Sequence, residues 1–338
     1  MRLRLGLIGL SRDWQNRYRP ALRMLQDRFE VRGVYSSVSR LADSVAQEFG
    51  AERFDGYRSM LEREDIDAAM MLDGDWYGTL PIQAACDFGK AIYCGTEVDF
   101  KPQAAGALRQ RVEESGIAFM AEFPRRYAPA TLRLKELIAT RLGRPRLLFC
   151  HRRLTCEVPG PGHRSQRSLA DRSERELMEL IDWCRFIVGH DPNTVQAVYH
   201  PSPSDAGIPD YQVLSVDFSS GPAPNQATLA QISCGAYMPS TWHEAITFRP
   251  PAGVQVCCEN GLAFVDLPNS LIWFDEAGRH QESLDSELSV GQQLLTQFHR
   301  AVTSLVRKMG DLEDVYRSLR ALEKAHESMN SGGRIAID

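Results

Sequence analysis

Nothing in this chain of 338 residues stays apolar for the ~20 consecutive positions that a membrane-spanning helix requires, so no such span is expected. An excess of positive charge is also missing. The formal net charge is -5 at pH 7, which leaves no basic footprint for nucleic acid. The cysteines (Cys86, Cys94, Cys150, Cys156, Cys184, Cys234, Cys257 and Cys258) show no C-x-x-C spacing and no matching histidine pairs. That disfavours both a zinc site and a disulfide framework. No metal is expected, and free thiols in a cytoplasmic protein are. The opening residues, Met1 to Gly6, run into a strand and a glycine turn without the apolar core of a signal peptide. Lysine is scarce too. Only Lys90, Lys101, Lys135, Lys308 and Lys324 could supply a catalytic ammonium, because the other basic side chains are arginines.

What is present has the make-up of an ordinary globular protein, 43% hydrophobic and 25% charged. The length exceeds what one hydrophobic core serves, so two domains are expected, 1–123 and 124–338. In the first, apolar strand-like runs at 4–9, 31–35, 66–72, 91–94 and 117–123 alternate with helical stretches. One helix runs through Pro20, one is capped by Ser39 and stopped by Gly50, one ends at Gly89, and one opens at Pro102 and ends at Gly116. The alternation describes an α/β fold, a Rossmann-type doubly wound parallel sheet. In the second domain a helix is expected over 129–142 and a strand over 146–152, followed by a Pro/Gly/Ser/Arg loop. Ser173 and Glu176 read as a capping box that opens a helix to Val188. Strand-period runs follow at 195–199, 211–218, 227–233, 244–248, 254–258, 262–267 and 271–274, then helices over 289–308 and 312–331. This predicts an α/β domain with a large open, mostly antiparallel sheet, buried on one face.

The first turn reads Gly9-Leu10-Ser11-Arg12-Asp13-Trp14 where a dinucleotide-binding turn reads G-x-G-x-x-G. In that fingerprint the second glycine lets the backbone approach the pyrophosphate, and the third permits close helix–strand packing. Ser11 still brings an N–H and a hydroxyl to a phosphate at a helix N-terminus. Trp14 cannot stand in for a packing glycine, so the helix is expected to start later or lie differently. After the second strand, Ser36 stands where an acid would bind the ribose hydroxyls of NAD. Ser36, Ser37 and Arg40 suit a 2′-phosphate, hence NADP; they read equally as a plain turn with Ser39 as N-cap. Asp73-Gly74-Asp75-Trp76 either turns two carboxylates on a pyrophosphate, with Arg12 or solvent to screen them, or forms a solvated turn.

Arg175, Glu179 and Asp182 share one helical face, at spacings of four and three. Arg175 and Glu179 either form a local i,i+4 pair, worth a few tenths of a kcal/mol, or poise Glu179 as a base or ligand anchor. His151, Arg152, Arg153, His163, Arg164, Arg167 and Arg172 either bind an anionic ligand or are exposed loop side chains.

Across its full length the chain resembles the Gfo/Idh/MocA family of sugar and polyol oxidoreductases. Arg125-Arg126-Tyr127-Ala128-Pro129 resembles that family's R-[FY]-x-P element, and Asp182 to Gly189 resembles the helix closing its catalytic motif. Asp314 through Ser328 to Gly332 is similar to its C-terminal helix. The first turn, with its tryptophan, is similar to that of the galactose-pathway repressor of yeasts, a relative that binds dinucleotide as a regulator. The resemblance implies NADP or NAD as cofactor, a sugar-like or anionic small-molecule ligand, and a homo-oligomer joined through the outer face of the second sheet.

It also implies positions. The family's fourth strand ends in Glu-Lys-Pro, whose lysine hydrogen-bonds the substrate hydroxyl beside the nicotinamide. The ungapped register puts Gly95, Thr96 and Glu97 there. The family's D-x-x-x-H-x-x-D triplet falls on Arg175, Glu179 and Asp182, so its general acid/base histidine is Glu179. Lys101, followed by Pro102, restores a Lys-Pro pair only if the strand end shifts by several residues. The expected cofactor-binding set is Gly9, Ser11, Arg12, Ser36, Ser37, Arg40, Asp73, Gly74, Thr96 and Glu97. Three readings follow: a divergent member without standard hydride transfer, acting as sensor or accessory protein; an active NAD(P)-dependent oxidoreductase rewired through Glu179 or Lys101; or a structural subunit.

Overall fold

Six strands make a parallel sheet: β1 (Leu3–Ile8), β2 (Phe29–Tyr35), β3 (Glu52–Arg53), β4 (Ala68–Met71), β5 (Ala91–Cys94) and β6 (Phe119–Ala121). Their order is β3-β2-β1-β4-β5-β6, with every neighbouring pair parallel. The computed structural model describes residues 1–73, 77–95, 102–156, 166–201, 209–221, 223, 226–248, 251–284, 288–304 and 310–337. All residues of β4, β5 and β6 are buried, as unbroken apolar runs in a parallel sheet require. Helices α1 (Tyr18–Met24), α2 (Ser39–Phe49), α3 (Tyr57–Leu61), α4 (Leu80–Asp87) and α5 (Pro102–Ser115) connect the strands. The expected doubly wound sheet is therefore present. Gly50, at φ +65°, ends α2 as expected. Ser39 is not the cap: Val38 holds that position in extended backbone and Ser39 is the first helical residue.

The second sheet has nine strands: β7 (Pro145–Cys156), β8 (Thr194–Pro201), β9 (Pro209–Asp217), β10 (Leu229–Pro239), β11 (Val254–Cys258), β12 (Leu262–Asp266), β13 (Ser270–Asp275), β14 (Gly278–Ser283) and β15 (Ile335–Ala336). In the order β14-β13-β12-β11-β7-β10-β9-β8-β15 only the β7–β10 pair is parallel. This is the large, mostly antiparallel sheet expected from the strand-period runs. Its helices are α6 (Pro129–Leu137), α7 (Gln166–Val188), α8 (His243–Thr247) and part of α10 (Gly310–Ser331), while α9 (Val290–Thr303) belongs elsewhere. Leu148, Cys150, Ile232, Val254 and Val256 bury one sheet face against Leu177, Leu180, Ile181 and Cys184 of α7.

Two expectations fail here. The run 244–248 falls largely in the short helix α8, because five residues of mixed character do not distinguish a period of 2 from one of 3.6. Helix α7 starts at Gln166, so Ser173 is a buried interior residue rather than an N-cap.

The chain forms two compact units, Met1–Pro124 with Glu287–Tyr316, and Arg125–Ser286 with Arg317–Asp338. Helix α9 joins the first: Phe298 packs edge-on to Tyr93 at 5.5 Å, and a Ser289/Gln292 capping box fixes its start. Cys86, Cys94, Cys150, Cys184, Cys234, Cys257 and Cys258 are free thiols. No described helix is long and apolar enough to cross a membrane, and no three described His, Cys, Asp or Glu side chains are placed to hold a metal ion.

Candidate functional site

In a doubly wound sheet ligands bind outside the carboxyl ends of the strands, where the strand order reverses. Here the reversal lies between β1 and β4. Gly9 leaves β1 at φ +70°, and a Cβ on it would stand 2.5 Å from the Asp73 Cβ and 3.1 Å from the Asp73 amide nitrogen. Only glycine lets the segment after β4 come this close.

Ser11 then caps a single 3-10 turn, Arg12–Trp14, its hydroxyl accepting from the Asp13 amide at 3.2 Å. Trp14 is buried, edge-on to Phe49 of α2 at 5.9 Å. With an indole where the third glycine of the fingerprint would be, α1 does not start until Tyr18, the delay expected from the sequence. The amides of Asp13 and Trp14 are both already bonded to Ser11. Those two amides are therefore not free to face a pyrophosphate.

At the end of β2, the Ser36 hydroxyl accepts from the Val38 amide at 3.2 Å, while Ser37 and Arg40 are exposed. Three tyrosines close a triangle beside them: Tyr35, Tyr57 and Tyr77 have ring centroids 5.7–5.8 Å apart. Burial, with a hydrogen bond to Tyr35, pushes the Tyr77 hydroxyl up to about 12, against a hydrogen bond from Ser37. Gly74, Asp75, Trp76, Thr96, Glu97 and Lys101 lie outside the described residues, as does the Arg12 side chain.

The carboxyl ends of β5 and β6 hold a charged group that the sequence reading missed. Glu122 follows β6 and is 5% exposed. It accepts from the Tyr18 hydroxyl at 2.5 Å and the Tyr93 hydroxyl at 2.8 Å, and it is bridged by Arg17. Arg17 also bridges Asp13 at 3.1 Å. At position 95 a Cβ would lie 2.7 Å from the Tyr18 hydroxyl, so glycine there makes room for this cluster. One signal was available: Glu122 is a lone acid in the otherwise apolar run 117–123.

In the second unit Glu179 and Asp182 of α7 meet the Arg125-Arg126 element. Arg125 bridges Glu179 and, at 2.5 Å, Glu176; the sequence had offered Glu179 the i,i+4 neighbour Arg175. Arg126 donates to Asp182 at 2.7 Å, and Asp182 is 1% exposed. Arg185 lies 3.4 Å from Asp182, donates to Asp191 at 2.6 Å and to the Ser318 hydroxyl at 3.1 Å. The Arg125-Arg126 element and α7 thus form one ladder of ion pairs, and both candidate carboxylates already hold a guanidinium.

The arginine-rich segment is divided in the same way. Arg152 lies 3.6 Å from Glu176, and His151 on the opposite sheet face bonds the Ser233 hydroxyl at 2.7 Å. Burial, with Arg153 adding to it, lowers the His151 pKa. Arg172 is exposed; His163 and Arg164 lie outside the described residues, as does the Arg167 side chain.

A six-stranded parallel sheet with a glycine turn after β1, followed by a large mixed sheet, is a Rossmann-type α/β fold with a second α/β unit. Residues 3–123 match the Gfo/Idh/MocA family model, described as an oxidoreductase family with an NAD-binding Rossmann fold. A dehydrogenase of Aspergillus oryzae, aclE, is 29% identical over 204 residues, 56% of this chain and 55% of the relative. An NADP-dependent D-xylose 1-dehydrogenase of Haloferax volcanii is 28% identical over 120 residues, 34% of this chain and 35% of the relative. The chain thus matches about half or less of the length of these curated relatives. The structure of levoglucosan dehydrogenase, in complex with NADH and levoglucosan, superposes with a TM-score of 0.83 at 16% identity, over 100% of both chains.

Proposed function

We propose that this protein is a divergent family member that binds a nucleotide or sugar-like ligand without the family's standard hydride transfer, as a cytoplasmic sensor or accessory protein. The observation that carries this reading is the ion-pair ladder on α7. Glu179, at the general acid/base position, is bridged by Arg125, and Asp182 by Arg126. A placed acid/base contributes about 10²–10⁴-fold to rate, and a carboxylate held by a guanidinium is a poor base. In the ungapped register Thr96 stands in place of the family's lysine, and members of a catalytic unit fail together.

NADP is the favoured nucleotide, because exposed Ser37 and Arg40 stand where a 2′-phosphate would lie and no acid is present at Ser36. The residues suit the two ends of a dinucleotide better than its middle, where the amides of Asp13 and Trp14 are already bonded to Ser11. Incubation with NADP+ or NADPH and a panel of sugars and polyols should give no turnover; steady turnover with any of them would refute the proposal.

The dehydrogenase names of the relatives favour a second reading, an active NAD(P)-dependent sugar or polyol oxidoreductase with rewired residues. It requires that Glu179→Gln or Lys101→Ala abolish a turnover that the wild type shows.

We also propose self-association through the open face of the nine-stranded sheet. Leu229, Leu147, Cys257, Leu262 and Phe274 stand side by side across five strands, and Phe149 next to Leu147 along β7 is 43% exposed. An apolar row of this kind marks an interaction surface. Leu147→Glu with Phe149→Glu is expected to convert an oligomer to monomers in analytical ultracentrifugation. A wild-type monomer at micromolar concentration would rule the surface out.

A further inference from the structure

The Arg17–Glu122 pair has no task in what precedes. Arg17 stands immediately before α1, and both of its bridges, to Glu122 and to Asp13, run through Nη1. Among the described residues Nε and Nη2 have no protein acceptor, and about a quarter (26%) of the side chain is open to water. Glu122 is held from two further sides by the Tyr18 and Tyr93 hydroxyls, so it offers the guanidinium a fixed support. A guanidinium held in this way, with one nitrogen fixed and the others open, has donors available to a ligand.

Its place in the sheet says which part of a ligand it meets. The two halves of a dinucleotide lie on either side of the strand-order reversal. With the adenosine half on the β2 side, beside Ser36 and Ser37, the other half comes to the ends of β4, β5 and β6. Among the described residues the charged groups there are the Arg17 guanidinium and the carboxyl groups of Asp13, Asp73 and Glu122, so a phosphate is repelled while an uncharged oxygen acceptor is not.

We infer that Arg17, positioned by Glu122, donates a hydrogen bond to an uncharged carbonyl oxygen of the ligand, the carboxamide of the nicotinamide half of a dinucleotide. This rests on the nucleotide reading above.

The test is calorimetric titration of the full chain with NADPH and with 2′-phospho-ADP-ribose, which lacks the nicotinamide. Arg17→Ala is expected to weaken NADPH by about ten-fold or more while leaving 2′-phospho-ADP-ribose unchanged, the size of a lost hydrogen bond from a charged donor. Glu122→Gln should produce the same selective loss in smaller measure, and Tyr18→Phe gives the same reading should Glu122→Gln not fold. Equal weakening of both ligands would reduce Arg17 to a structural or phosphate-directed role and overturn the inference. So would no weakening of either. Wild-type protein that binds neither ligand at millimolar concentration would overturn the nucleotide reading itself, and the inference with it.

Discussion

Replacing Glu122 by alanine is expected to destabilise the protein by about 3 kcal/mol or more, lowering the melting temperature of the first unit by roughly 6–12 °C. The variant removes the acceptor of two buried hydroxyls, Tyr18 and Tyr93, and the acid facing Arg17. Breaking a buried ion pair from one side costs about 3–5 kcal/mol, because the remaining charge stays behind without its partner. Arg17 is a quarter open to water and keeps Asp13, which places the effect near the lower end. Glu122→Gln keeps an acceptor for the tyrosines and should cost much less. The pair of variants also has a pH signature. Burial raises the Glu122 carboxyl above its ordinary value, against the pull of Arg17 and the two tyrosines. The folded state then holds a proton that the unfolded chain has already lost. The Glu122 contribution is therefore complete below the ordinary carboxylate range and declines as pH rises through the raised value. The stability gap between wild type and Glu122→Gln should narrow across that window, measured by urea unfolding. A gap that widens would mean that the carboxyl titrates below its ordinary value.

Asp182→Ala should have an effect of similar size, about 3–5 kcal/mol, in the second unit. Asp182 is the node between Arg126 and Arg185, and the Arg185 side chain is only 6% exposed. Arg185 keeps Asp191 and the Ser318 hydroxyl, while Arg126 loses the two hydrogen bonds it donates to Asp182. The expected outcome is a lower urea midpoint with the slope unchanged. An Asp182 that served chemistry rather than architecture would behave in the opposite way: its variant would be stable and would lose a turnover.

Much of this molecule can be read from local sequence, and the exceptions have physical causes. Apolar runs at β1, β4 and β5 and the glycines after α2 and α4 mark the parallel sheet, because each follows from burial or from a positive φ. Trp14 is the best case at the site: an indole in a glycine's place required a late helix, and α1 starts at Tyr18. The two-residue strand β3 left no signal, since Glu52 and Arg53 are both exposed. The start of α7 was hidden in a polar, arginine-rich stretch where a Ser-x-x-Glu pattern imitated a cap. At the candidate site, residue types were legible and partners were not. Glu179 had a helical neighbour of the right charge in Arg175, yet its bridge comes from Arg125, 54 residues away in sequence. Glu122 gathers groups from α1 and β5, which no spacing rule connects.

The most direct test of the central claim is titration of the full chain with NADPH and NADH, followed by nicotinamide fluorescence, and then addition of sugars and polyols to the saturated complex. Saturable binding is expected, tighter for NADPH, with a nicotinamide signal that stays constant whichever sugar or polyol is added. Oxidation or reduction of the bound nucleotide at an ordinary enzymatic rate, about 1 per second or faster, would contradict it and make this chain a working dehydrogenase.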